Sequence, residues 1–237
     1  MVAKVMDFRA DRDDSGAGAG LPAHEQVYRR LRDMILFGEL EPGQPVTIQG
    51  LTVTLAAGMT PVREALRRLT AEGALEFQGN RRICVPVLNA AAVEELTVAR
   101  GALEPELARC ATSRATPEDL DRLTEIDARL DHAIARGDLA GYLRENHSFH
   151  EELNLLAAAP ILTSVVEGLW LRFGPSLRVV CGQVGTRNLP DQHKALLDAM
   201  ARKDAEEAAR AMAEDVAQGM AQIAEALQDS DGGAPRA

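Results

Sequence analysis

Apolar residues recur at three- and four-residue spacing along most of this chain, which predicts a succession of amphipathic helices with one short exception. In HEQVYRRLRDMILFG (24–38), Val27, Leu31, Met34 and Ile35 share one face, and Gly38 followed by EPGQP (41–45) ends the helix. A short helix is predicted at 48–56 (IQGLTVTLA), then a turn at Ala57-Gly58. A third helix runs from Thr60 to about Glu72, with Thr60 as N-cap, Pro61 at the first helical position and Gly73 as the stop. Val62, Leu66 and Leu69 form its buried face. The exception is ALEFQ and RICVPV, two β-prone runs around Gly79-Asn80 that read as a hairpin. Helix, helix, turn, helix, hairpin is the order of a winged helix-turn-helix.

Beyond VPVLN (85–89) the texture changes. Helices are predicted at about 90–113, 117–135, 139–157, 161–181, 190–202 and 205–227, several started by Thr116-Pro117, Asp138, Pro160 and Pro190. Two local echoes, AIARGDLAGY (133–142) and AMARKDAEEA (199–208), each end one helix and restart another at an Asp cap. Six consecutive amphipathic helices joined by short turns predict an antiparallel bundle. The fold class expected is mainly α, with a winged helix-turn-helix over 22–86 and a helical domain over 87–227. Residues 1–21, ending in the polar, Gly-rich DDSGAGAG and Gly20-Leu21, and 228–237 (QDSDGGAPRA) are expected to be disordered tails.

Composition supports this. Hydrophobic residues make up 46% of the chain but aromatics only 3%, and the Ala and Leu that dominate favour helix. Three scattered cysteines without metal spacing fit a reducing compartment. No apolar h-region occupies residues 1–20 and no apolar run approaches the ~18 residues of a membrane span, so a soluble, cytoplasmic protein is expected. The net charge of −10 argues against nucleic acid until its distribution is read. Residues 22–86 hold eight arginines against seven carboxylates, whereas 87–237 hold fifteen Lys and Arg against twenty-five Asp and Glu. The acidity belongs to the second half.

Within the first half, MTPVREALRRL (59–69) carries Arg63 and Arg67 at i,i+4, with Arg68 beside them. Alone, such a helix reads as a solvated face with a Glu64–Arg68 pair. After a tight turn, however, it occupies the position that enters the major groove. Arginine suits bidentate contact with guanine or phosphate, and the helix start offers free N–H groups to a phosphate. Thr60 lies at that start. Gly79, Asn80, Arg81 and Arg82 form a small, basic wing able to approach the backbone or minor groove. The reading is a double-stranded-DNA-binding domain.

The sequence also resembles a known family. TPVREALRRLTAEGALEF followed by QGNRRICV resembles the DNA-binding domain of GntR-type bacterial transcription regulators over residues 24–86. ARGALEPELARCA (99–111), NHSFHEEL (146–153) and QHKALLDAMARKDAEEAARAM (192–212) resemble the FCD ligand domain of the FadR-like branch. Where the family commonly has Ser-Arg before Thr-Pro, this chain has Gly58-Met59, so an operator cannot be carried over from relatives.

The resemblance implies a homodimeric, ligand-responsive regulator, a repressor rather than an activator, on a near-palindromic operator. Its effector would be a small carboxylate metabolite, with Arg100 in the first FCD helix, and secondarily Arg172, as partners for the carboxylate. Arg100 also stands i,i+4 from Glu104, the spacing of a plain salt bridge. Family members often hold a divalent metal through one Asp and three His. The matching positions here are Asn146, His150, His193 and Asp215, so the carboxylate has moved to another helix. Two imidazoles and a carboxylate suit Zn²⁺, Ni²⁺, Mn²⁺ or Fe²⁺. The same groups could instead bind an effector directly by hydrogen bonds. His24, His132 and His147 are read as surface or packed histidines. A metal-dependent enzyme built on His150, His193 and Asp215 is the alternative class, disfavoured because no H-E-x-x-H pattern accompanies the histidines. A pure metal sensor is the third.

Overall fold

A computed structural model describes residues 21–79, 82–184 and 192–232. The first unit packs α1 (Ala23–Leu36), α2 (Ile48–Thr54) and α3 (Met59–Ala71) with a small sheet. α1 buries Val27, Leu31 and Ile35 against Val62, Ala65, Leu66 and Leu69 of α3, so the two predicted apolar faces meet. Strands β2 (Glu76–Gln78) and β3 (Arg82–Cys84) pair antiparallel with Phe77 opposite Ile83. A third strand, β1 (Pro45–Val46), pairs with β3 and gives the order β1-β3-β2. Two residues are too few to show an alternation, so β1 leaves no sequence pattern; Pro45 is tolerated because the strand is an edge.

Two local expectations are corrected. α3 begins at Met59 with Gly58 as its N-cap, and no side chain caps it. Thr60 is therefore its second residue and Pro61 its third. Pro61 remains in the first turn, whose N–H groups lack intrahelical acceptors, so its missing donor still costs nothing. α2 stops at Thr54, and the turn is made by Ala56 at φ +49° rather than by Ala57-Gly58.

The second unit comprises α4 (Ala90–Arg114), α5 (Pro117–Arg136), α6 (Leu139–Leu156), α7 (Pro160–Val184), α8 (His193–Ala201) and α9 (Ala205–Gly232). Side chains set the starts: Asn89 accepts from Ala92 N–H, Thr116 and Asp119 form a capping box, and Asp138 accepts from Gly141 N–H. α4 lies along α9, α5 on α6, and α8 on α9, around a core that includes Leu107, Leu123, Phe149, Leu153, Phe173 and Met200. The expected C-terminal tail is corrected in part, because α9 continues through Gly232; no proline interrupts it before Pro235. The helix expected at 190–202 runs from 193 to 201, and Pro190 lies outside the described residues, as do 1–20 and 233–237. Among the described residues no helix is long and apolar enough to cross a membrane.

The two units meet where α7 passes under α1. Any Cβ at Gly174 of α7 would collide with the carbonyl of Leu36, so a glycine permits this close approach. Arg32 of α1 faces Glu167 of α7 at 3.9 Å, and Phe37 meets the His147 ring edge-on at 5.8 Å.

Candidate DNA face and ligand cavity

On α3 the apolar stripe faces α1, which leaves Met59, Thr60, Arg63, Glu64 and Arg67 exposed on the opposite side. Arg63 pairs with no carboxylate in the contacts of the described residues. Arg67 pairs with Glu64 through two contacts of 2.5 and 3.1 Å, yet its side chain stays 74% exposed. Arg68 is different. Its guanidinium stacks 3.5 Å over the Tyr28 ring and pairs with Glu25 and Glu72, both at 3.1 Å. Tyr28 donates its hydroxyl proton to the same Glu72 at 2.8 Å, and burial followed by that bond pushes the Tyr28 pKa up to about 12. Arg68 thus ties α3 to α1 instead of projecting into solvent beside Arg63 and Arg67, and the Glu64–Arg68 pair does not form. On the wing, Gly79 meets no close neighbour and Arg82 is exposed. Asn80 and Arg81 lie outside the described residues.

Inside the bundle, a cavity of about 30 Å³ is lined by Arg100, Tyr142, Asn146, His150, Trp170, Phe173, Leu177, Asp215, Gly219 and Ile223. The polar groups at and just behind the cavity come from four elements. Arg100 and Glu104 come from α4, Asn146 and His150 from α6, His193 from the first position of α8 and Asp215 from α9. His150 is 1% exposed and sits between two carboxylates, with Nδ1 3.2 Å from Glu104 and Nε2 3.4 Å from Asp215. Burial works against its charged form, but the adjacent carboxylates of Asp215 and Glu104 outweigh it and lift its pKa to about 9. Burial also works against ionised Glu104, yet Arg100 and His150 outweigh that and bring it down to about 2. Burial also works against ionised Asp215, which is partly buried, but His150 chiefly outweighs it and brings it to about 2.

One ligating atom from each of His150, His193 and Asp215 falls within 4.8 Å of the others. Atoms bound to one ion at about 2.1 Å stand at most about 4.2 Å apart. In a tetrahedral site they stand only about 3.4 Å apart, so the widest pair of the trio must close by more than about 1 Å to hold a divalent cation, for which its donors suit Zn²⁺, Ni²⁺, Mn²⁺ or Fe²⁺. Asn146 lines the same cavity, half-buried.

The other candidates separate. Arg100 lines the cavity, but its guanidinium holds Glu104 bidentately at 2.5 and 3.3 Å and lies 4.0 Å over the Phe173 ring. The salt-bridge spacing is realised, and little of its charge is left for a ligand. Arg172 is not in this cavity. It projects from α7 into a separate crevice between the units, against Gly73, whose φ of +76° and lack of a side chain make room for it. His147 is buried between Phe37 and Trp170, and burial takes its pKa down to about 3. His24 and His132 are exposed. Two residues escaped the sequence reading: Glu104, visible only as a salt-bridge partner for Arg100, and Asp127 of α5, whose Oδ1 lies 3.4 Å from His193 Nδ1. Asp127 sits among acidic positions of an ordinary amphipathic helix, and nothing local sets it apart.

Comparison with known proteins agrees with both units. The family model for bacterial regulatory proteins of the gntR family matches residues 23–85, and that for the FCD domain matches 95–218. The HTH-type transcriptional regulator McbR of Escherichia coli K12 is 30% identical over 83% of this chain and 90% of its own length. The HTH-type transcriptional repressor RspR of the same organism is 26% identical over 81% and 84%. The solved structure of E. coli McbR/YncC superposes with a TM-score of 0.82 at 29% identity, covering 87% of this chain and 99% of that one. A regulator structure from Rhodococcus sp. RHA1 shares the fold at a TM-score of 0.70 and 23% identity.

Proposed function

This chain belongs to the gntR family of bacterial regulatory proteins, with an FCD domain behind its DNA-binding domain, and is a transcription regulator; we propose that it binds a near-palindromic operator as a homodimer and represses from it. The carrying observation is the exposed ridge of Thr60, Arg63 and Arg67 on the helix that follows the turn, with Arg82 on the adjacent wing. Set in the major groove, that ridge presents two guanidinium forks to guanine edges or phosphates. The exposed Glu64 contact of Arg67 can be exchanged for a phosphate at little cost. The sequence adds Asn80 and Arg81 as candidate DNA contacts outside the described residues. Repression follows the lead of RspR, a repressor by name.

The bundle is the sensor. With Arg100 neutralised by Glu104, a bare carboxylate finds little spare positive charge in the cavity. His150, His193 and Asp215, with Asn146 as a neutral fourth donor, hold one divalent cation, which supplies the charge that a small carboxylate effector needs. Tyr142 lines the same space and offers a hydroxyl. A cavity of about 30 Å³ has room for only a water or two, so a metabolite enters only if a wall moves. α7 is that wall: Trp170, Phe173 and Leu177 face the cavity, while Gly174 seats against Leu36 and Arg172 against Gly73. An effector that displaces α7 would favour one arrangement of the two DNA-binding domains of a dimer over another, as coupling requires.

The test is mobility shift on a selected operator with the Arg63→Ala/Arg67→Ala variant. Binding is expected to be lost with the melting curve intact, and unchanged binding by a folded variant sinks the DNA reading. A thermal-shift screen of sugar acids, hydroxy acids and amino acids, with and without each metal, tests the sensor.

A further inference from the structure

Each imidazole of the trio has its own buried carboxylate behind it. Glu104, 0% exposed, stands 3.2 Å from His150 Nδ1, and Asp127, 5% exposed, stands 3.4 Å from His193 Nδ1. They come from different helices, α4 and α5, and neither belongs to the trio around the cation position. We propose that Glu104 and Asp127 are positioning residues that fix the two histidines with Nδ1–H turned outward and Nε2 presented to a shared cation. This rests on the metal reading of the same trio.

The observations go beyond a general excess of acid. Glu104 is itself anchored by Arg100, so the line Arg100–Glu104–His150 is a chain of defined contacts ending at Nε2, which lies 3.4 Å from Asp215. Asp127 is steadied on its far side by Lys194, 3.8 Å from Oδ2, and the His193 ring is clamped in plane by Phe149, stacked at 3.8 Å and 12°. Both Nδ1-to-carboxylate distances exceed the about 2.7–2.9 Å of a charge-assisted bond. Neither Asp127 Oδ1 nor His150 Nδ1 makes an aligned hydrogen bond. Drawing the trio from 4.8 Å toward one ion requires the rings to move, and the carboxylates behind them would hold the rings in the new position. A carboxylate behind a ligating histidine fixes its tautomer and raises its basicity.

The experiment is zinc titration by calorimetry on the chelator-stripped full chain, comparing wild type with Asp127→Asn, Glu104→Gln and Asp131→Asn. Asp131 is half exposed and holds Lys194 at 2.9 Å, so its variant controls for the loss of nearby negative charge. Asp127→Asn is expected to weaken zinc binding about 10–100-fold, to alter the visible spectrum of the cobalt-loaded chain, and to leave the melting temperature of the stripped protein nearly unchanged. Asp131→Asn is expected to leave all three as in wild type. Glu104→Gln strands Arg100, so its zinc affinity is read only if its melting curve stays cooperative; Asp127→Asn decides the matter alone. Zinc affinity and cobalt spectrum equal to wild type in Asp127→Asn overturn the inference while the metal reading stands. A wild-type chain that binds neither zinc nor cobalt overturns both.

Discussion

Arg67 and Arg100 each grip a carboxylate on their own helix at 2.5 Å, but Arg67 keeps 74% of its side chain in water and Arg100 only 4%. The surface pair is worth little and opens freely, which suits the DNA contact proposed for Arg67. The buried pair cannot open without stranding Glu104, itself 0% exposed, so Arg100 acts as scaffold. The winged domain shows its chemistry outward, ready for a polyanion. The bundle turns its chemistry inward, where charges compensate one another.

That contrast breaks most sharply at the exposed ridge. Arg63→Ala and Arg67→Ala are each expected to weaken operator binding roughly 10–100-fold and to relax the preference at the base pairs they read. The salt dependence should become shallower by about one logarithmic unit for each lost phosphate contact. Mobility shift at several salt concentrations measures both, and neither variant should move the melting temperature. The bundle counterpart is His150→Ala, which leaves Glu104 and Asp215 facing an emptied buried site. It is expected to cost about 3–5 kcal/mol of stability, read by chemical denaturation, while a chain still folded at low temperature binds operator like wild type. If His150→Ala impaired DNA binding more than folding, the division between outward and inward chemistry would be wrong.

The same contrast explains what the sequence disclosed. The helices of both units were legible because their apolar faces repeat at helical spacing, and Val62, Leu66 and Leu69 are buried as that spacing required. The reader helix stood out because its arginines cluster within five residues after a turn. The resemblance also pointed to His150, His193 and Asp215, which the fold brings together. Asp127 was invisible because its partner lies 66 residues away across two helices. Arg68 and Arg172 sit in surroundings the sequence did not disclose, for a related reason. Their surroundings, Tyr28 in one case and Gly73 in the other, are set by packing between elements, which a one-helix pattern cannot report.

Acid separates the two units next. The folded pKa of His147, about 3, lies below its unfolded value near 6.5. Its contribution to stability is therefore complete above pH 6.5 and is lost as pH falls, by up to about 1.4 kcal/mol per unit. Glu104 and Asp215 start to titrate only below the ordinary carboxylate range, so the interval from pH 6.5 to 4.5 isolates His147 among the strongly shifted groups of the bundle. His150 runs the other way: with a folded pKa raised to about 9, its contribution is complete below pH 6.5 and is lost as pH rises through 9. Stability should peak near pH 6–7. Denaturation of His147→Phe, which keeps a ring between Phe37 and Trp170, should show a flatter acid limb than wild type. Zinc affinity should rise from pH 6.5 to 9 as the competing proton leaves His150.

The smallest effect is expected at Arg68, where the two kinds of chemistry touch. It belongs to the same short helix as Arg63 and Arg67, yet its guanidinium lies over Tyr28 and between Glu25 and Glu72. Its side chain is 47% exposed, so each ion pair is screened, and the stacking and pairing together contribute about 0.5–1 kcal/mol. Arg68→Ala should therefore lower stability by about that amount and change operator affinity less than twofold. Arg68→Lys keeps the charge but loses the planar stack, and should fall between wild type and alanine in stability. A loss of DNA binding as large as that of Arg63→Ala would place Arg68 on the reading face, and the Tyr28 stack would then be a resting position that DNA pulls it from.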